Sequence, residues 1–216
     1  MPMSAVELDE RILAFIKSGE GSFEQLAFDV FEYQFANNEP YRQYCMRLNV
    51  TPDNVHHWKQ IPAVPALAFK FFDLACEPPN DAPLIFLSSG TTQGAHARSK
   101  HYVFNPELYR ASACEWFKRH VLPDDVRLPF LILFPPWDEM RTSSLAYMLD
   151  MVACEFGSDD SAHFVHDGML MVEQVVRRLM TVDSPVCLLG TSLAFYELLD
   201  YCHSQQLRFQ LPTVAG

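Results

Sequence analysis

The sequence predicts an α/β protein, with a helical N-terminal region followed by alternating strands and helices that form a mostly parallel sheet. Two observations carry this prediction. Through residues 1–80 apolar side chains recur at helical spacing, and from Pro83 onward short, nearly continuous apolar runs alternate with amphipathic ones. Strands that are apolar on both sides belong in a parallel sheet covered by helices.

The elements follow in order. Val6 to Lys17 reads as a first helix and Phe23 to Phe35 as a second, opened by a capping box of Ser22 and Gln25 and carrying Phe23, Leu26, Ala27, Val30 and Phe31 on one face. Thr51-Pro52 predicts a third helix with proline at its first position. Ile61 to Leu67 holds prolines where a helix needs donors, so it reads as an extended connection to Phe69-Lys70-Phe71-Phe72. Strands are predicted at Pro83 to Leu87, Pro129 to Phe134, Ala162 to His166 and Pro185 to Leu189. Between them, helices are predicted from Asn105-Pro106 to Val121, from Thr142 or Ser143 to Phe156, from Gly168 to Met180 and from Thr191 to Ser204. The domain reading is therefore a helical region over 1–80 and an α/β nucleotide-binding core over 81–216, which stops at Gly216 where a further strand is expected and so reads as cut short.

Composition bounds the function. The chain has 216 residues, 49% hydrophobic and 20% charged, enough for a substantial core. Lys and Arg number 16 against 27 Asp and Glu, and the net charge of −11 disfavours nucleic acid or an anionic membrane as partner. No apolar run approaches the ~20 residues of a membrane span, and acids stand where a signal peptide carries bases, which predicts a cytoplasmic protein. Cys45, Cys76, Cys114, Cys154, Cys187 and Cys202 are irregularly spaced with no Cys-x-x-Cys pair, the pattern of reduced structural thiols. The histidines His56, His57, His96, His120, His163, His166 and His203 lack metal-ligand spacing and read as solvated or core groups, and no metal site is predicted.

The most informative segment is the first apolar strand, Leu84 to Leu87, emptying into Ser88-Ser89-Gly90-Thr91-Thr92-Gln93-Gly94, with Lys100 and His101 following. Glycines let a backbone close around an anion, and hydroxyls add donors to the backbone N–H groups, so the loop is expected to bind nucleotide phosphate through Ser88, Ser89, Gly90, Thr91, Thr92 and Gly94, with Lys100 and His101 adding charge and a donor. It is not a Walker loop, because Gly90 and Gly94 are one residue too close and no lysine adjoins them, and the dinucleotide fingerprint is absent. As the carboxyl end of a sheet strand, the loop is expected to share a sheet with Gly190-Thr191-Ser192, which together with Ser143 and Ser144 is a candidate acyl or adenylate pocket. Ser143 and Ser144 also have a plain reading as helix-start residues, and Gly190-Thr191-Ser192 as a tight turn and cap.

The loop matches the Ser/Thr/Gly phosphate loop of adenylate-forming enzymes. Trp58 to Pro65 with Phe69-Lys70, Phe86 to Gly94 with Ser99-Lys100-His101, Ser143 to Met148, and Pro185 to Phe195 together resemble, in that order, the acyl-protein synthetases of the bacterial bioluminescence type, relatives of phenylacetate-CoA ligases. The resemblance runs from about Trp58 to Leu211. It implies acyl-adenylate formation from a long-chain fatty acid, ATP and Mg2+, then acyl transfer to an enzyme cysteine that passes the group to an acyl-reductase or receives it from an acyl-donor protein. Gln93 departs from the commonest loop, which has glycine directly after the threonines. The family's adenine and ribose motifs, C-terminal lysine and acyl-accepting cysteine would lie beyond Gly216, so no catalytic residue is assigned, the chain reads as the front part of such an enzyme, and alone it is expected not to exchange pyrophosphate into ATP.

Three alternatives remain. CoA in place of the protein cysteine would make the enzyme an acyl- or aryl-CoA ligase. Gly190-Thr191-Ser192-Leu193-Ala194 mimics the nucleophile elbow of a serine hydrolase at Ser192, although only Asp200 and His203 follow as partners. A folded, non-catalytic binding fragment is the third.

Overall fold

The computed structural model describes residues 3–89, 98–122, 124 and 126–212. The chain divides into two compact units, Met1–Glu115 and Trp116–Gly216.

The first unit opens with helices α1 (Ala5–Ser18), α2 (Phe23–Asn37) and α3 (Glu39–Arg47). Ser4 caps α1 by accepting the Glu7 N–H, and Ser22 caps α2 by accepting the Gln25 N–H at 3.2 Å, as the capping signal predicts. Asn38 ends α2 and starts α3. Its N–H donates to Gln34 O at 2.9 Å and its Oδ1 accepts the Tyr41 N–H at 3.3 Å, while Pro40 sits in the first turn of α3. Phe31, Tyr41, Cys45 and Val55 form the buried centre of these helices. The helix expected at Thr51-Pro52 is only a single 3-10 turn, Pro52–Asn54, because Asn54 folds back locally: its Oδ1 accepts the Thr51 N–H and its amide donates to Asn49 O, both at 2.9 Å. Ile61 to Pro65 is extended as predicted, whereas Ala66–Lys70 turns into 3-10 helix.

The first strand departs from expectation. β1 (Leu84–Leu87) forms where the apolar run predicts it, but it pairs antiparallel with an unpredicted β2 (Lys100–Val103), Leu84 opposite Val103 and Leu87 opposite Lys100. The two strands form a sheet of their own within the first unit rather than joining the parallel sheet. Phe86 is buried and packs on Tyr109 of α4 (Pro106–Val121), with ring centroids 5.3 Å apart. Asn105 precedes α4 as predicted; its Oδ1 accepts the Glu107 N–H and its amide reaches Asp9 at 2.8 Å.

The second unit is the predicted parallel α/β layer. β3 (Phe130–Leu133) lies between β4 (Ala162–His163) and β7 (Cys187–Gly190), parallel to both, with α5 (Ser144–Phe156) joining β3 to β4 and α6 (Val172–Thr181) on the path to β7. Phe130 to Leu133 are wholly buried, which fits the continuous apolar run. Leu131 and Leu133 share one face with Val175, Val176 and Leu179 of α6 and with Ala194, Leu198 and Cys202 of α7 (Ser192–Ser204). Phe130 turns the other way, onto Phe117 at 5.9 Å.

The expected strand from Ala162 to His166 is broken at Phe164. Beyond it, β5 (Val165–His166) pairs with β6 (Met169–Leu170) in a separate hairpin, turned through Asp167 and Gly168 at φ 49° and 75°. That Asp-Gly turn takes the residues expected to begin a helix at Gly168, so α6 starts only at Val172. Among the described residues no helix is long and apolar enough to cross a membrane.

Gly190 lies opposite Leu133 in the parallel ladder, and a Cβ added there would fall 2.8 Å from Leu133 Cβ and 3.1 Å from its carbonyl oxygen. Gly190→Ala is therefore expected to destabilise the second unit by about 1–3 kcal/mol through overpacking of an immobile strand. Urea denaturation checks this: the midpoint should fall, and an unchanged midpoint would show that β7 gives way at this point.

Candidate functional site

The predicted phosphate loop begins at Ser88, directly after β1, and the described chain resumes at Arg98, ahead of β2. Three hydrogen bonds close its base. The Ser88 N–H donates to Ser99 O at 3.0 Å, the Ser99 N–H donates to Ser88 Oγ at 2.9 Å, and Arg98 Nε donates to Ser88 O. Ser99 is buried in this closure and Ser89 is exposed. The Ser88 hydroxyl accepts from the backbone and keeps its own hydrogen to donate. Gly90, Thr91, Thr92, Gln93 and Gly94 lie outside the described residues.

Lys100 and His101 begin the returning strand. Lys100 Nζ is 3.1 Å from Asp73 Oδ1, and the Tyr102 hydroxyl donates to the same oxygen at 2.6 Å. Lys100 is thus paired rather than a bare cation. Hydrogen bonding from Tyr102 and then from Lys100 holds the Asp73 carboxyl below its ordinary 3.8, and the hydrogen bond to Asp73 raises Lys100. Both side chains are about half exposed, so solvent screens the pair and an incoming polyanion can replace Asp73 at little cost. His101 stacks on Phe69 with centroids 4.7 Å apart. Lys100 and Tyr102 meet on Asp73 from one face of β2, whereas His101 turns to Phe69 on the other, so the basic residues flank the loop from different sides of the strand.

The other candidates lie in the second unit, in a different sheet from the loop, which corrects the expectation of one shared sheet. β1 pairs along one edge with β2 and has no other strand partner among the described residues. Ser143 caps α5 by accepting the Ala146 N–H at 3.2 Å, with Ser144 exposed as the first helical residue. Thr191 caps α7 by accepting the Ala194 N–H at 3.3 Å, and Ser192 is exposed at the start of that helix. These residues carry the cap role that the plain reading gave them. Asp200 and His203 lie on the same helix as Ser192, about 12 and about 16 Å further along its axis, where they form no triad with it.

One polar cluster was not singled out from the sequence. At the carboxyl end of β4, His163 Nδ1 is 2.9 Å from Phe134 O, and Nε2 lies 2.9 Å from Asp150 Oδ1 without hydrogen-bond alignment, while Asp150 Oδ2 accepts the Trp137 N–H at 3.0 Å. It ties the loop after β3 to α5 and β4. No spacing rule marks it, because its members come from three separate elements. None of the six cysteines forms a disulfide, and burial pushes the Cys45, Cys76, Cys187 and Cys202 thiols up, Cys76 to about 11, which keeps them protonated and unreactive at neutral pH. Among the described residues no group of three or more His, Cys, Asp or Glu could hold a metal ion.

Comparison with known proteins agrees with the resemblance read from the motifs. The chain is distantly similar to long-chain-fatty-acid–luciferin-component ligase of Aliivibrio fischeri, 23% identical over 227 residues that cover 96% of this chain and 56% of the relative. It thus spans little more than half the length of that relative. No family model matches the chain, and no solved structure matches it.

Because Asp73 gains hydrogen bonds that lower its titration, the stability it contributes is present above its unfolded value and is lost as pH falls through the lower folded value. Tyr102→Phe should move the Asp73 titration upward, as read by carboxyl 13C NMR; an unmoved titration would show that the phenol is not what holds the carboxylate.

Proposed function

We propose that this chain supplies the phosphate-binding part of an enzyme that activates a long-chain fatty acid with ATP. The carboxylate oxygen attacks the α-phosphorus, the bond to the bridging oxygen breaks, and pyrophosphate leaves with its charge, giving acyl-adenylate. A thiolate then attacks the acyl carbon and AMP departs, which makes the whole enzyme an acyl-protein synthetase when the thiol is its own cysteine. Mg2+ arrives with the nucleotide as part of the substrate. A cytoplasmic setting and a partner acyl-reductase belong to the same reading.

The observation that carries the proposal is the hydroxyl-and-glycine loop held at its base by the Ser88–Ser99 closure, with Arg98, Lys100 and His101 at its return. Negative charge gathers on the leaving pyrophosphate, and donors fixed beside it lower the barrier. The similarity to a fatty-acid ligase supports the choice of substrate. For Ser192 the exposed helix start and the unsuitable partners favour a structural role over that of a nucleophile.

Titration of the chain with MgATP tests this. Thr91→Val combined with Thr92→Val should weaken binding about tenfold or more, because hydrogen bonds to charged groups are lost. Asp73→Asn, which releases Lys100, should tighten it. Affinity that ignores both changes would sink the proposal, as would covalent labelling of Ser192 by a fluorophosphonate.

A further inference from the structure

The motif from Trp58 to Phe69 contributes to the resemblance yet has no part in the phosphate loop. In the first unit it lines a cavity of about 940 Å³, facing α1 and α2, at the upper end of the usual range for ligand sites. The wall is apolar and aromatic. Phe15, Phe23 and Trp58 form a ladder, Phe23 to Phe15 at 6.3 Å and Phe23 to Trp58 at 5.4 Å, and Phe23 and Trp58 remain 52% and 40% exposed.

The polar groups in the wall are already engaged. Tyr41 donates its hydroxyl to Pro62 O at 2.9 Å, and Asn38 donates its amide to Gln34 Oε1 at 3.2 Å. Among the described residues Lys59 is the single charged side chain lining the cavity. Its ammonium sits 5.5 Å from the Trp58 ring centroid and forms no ion pair among the described residues, the nearby Glu24 carboxylate being engaged by the Trp58 N–H at 3.3 Å. In a chain of net charge −11, an unpaired cation at the edge of an apolar groove is complementary to one kind of ligand, an apolar tail with an anionic head.

The groove also points toward the loop. Phe69 forms part of its wall and stacks on His101, and a second cavity of about 470 Å³ adjoins it through Ile12, Val30, Gln34 and Leu74 and reaches Tyr102 on β2.

We propose that this groove binds the alkyl chain of a long-chain fatty acid, with the carboxylate held at Lys59. The ligand's chemical class rests on the function proposed above; its place rests on the groove. Burial of a chain in such a wall predicts that affinity falls about fourfold for each methylene removed.

The test is calorimetric titration of the chain with tetradecanoate, dodecanoate and tetradecan-1-ol, with unfolding and circular dichroism confirming that each variant folds. Ala27→Trp, which fills the groove, should weaken tetradecanoate tenfold or more and leave MgATP affinity unchanged. Lys59→Glu, at an exposed position, should weaken tetradecanoate severalfold and spare the alcohol. Tetradecanoate binding that both folded variants retain overturns the groove while leaving the ligase reading intact. MgATP binding that ignores the loop variants, with tetradecanoate still lost in Ala27→Trp, overturns the ligase reading and leaves the groove. A second copy of the chain as occupant, seen as a dimer in sedimentation that Ala27→Trp dissociates, also overturns the proposal.

Discussion

The pairing of Ser88 with Ser99 is the constraint on which the rest of the site depends. It continues the antiparallel pairing of β1 and β2 by one more step and fixes the backbone at Ser88 and Ser99. The same pairing puts Lys100 opposite Leu87, one residue from Ser88, so the basic side chains stand beside the loop rather than far along the sequence. Fixing two backbone positions in this way lowers the conformational freedom of the residues that are joined.

This closure is also where sequence reasoning and structure part. The apolar run Leu84 to Leu87 identified a strand, but a strand's partner is not written in its own pattern. β2 escaped notice because Lys100-His101-Tyr102-Val103 mixes exposed and half-buried positions without an apolar run. In the second unit the signals were stronger. Phe130 to Leu133 is apolar throughout because both its faces are covered, and the caps at Ser143 and Thr191 follow from short hydroxyl side chains before helical periodicity. The broken strand at Phe164 and the late start of α6 share one cause, the Asp167-Gly168 turn, whose left-handed backbone competes with a helix start.

For the site, the residue types were legible and their partners were not. Lys100 could be named as a cation from its place after the loop, but its neutralisation by Asp73 depends on a residue 27 positions earlier. The contact of Phe69 with His101 likewise joins the Trp58 to Phe69 motif to the hairpin only once the chain has folded. Motif order alone recovered a relationship that stands at 23% identity, which shows how much of a distant resemblance resides in short clusters whose spacing is set by the fold.

Asn38 gives the helical unit a mechanical character of its own. Almost wholly buried, it closes one helix and opens the next with a single side chain and its own N–H, and with Tyr41 it lines the cavity. α2 and α3 therefore meet at a fixed corner, and the facing segment from Trp58 to Ala63 is laced back onto the same two helices, its Trp58 N–H on the Glu24 carboxylate and its Pro62 and Ala63 carbonyls under the Tyr41 and Tyr44 hydroxyls, so the hollow keeps its width as one frame.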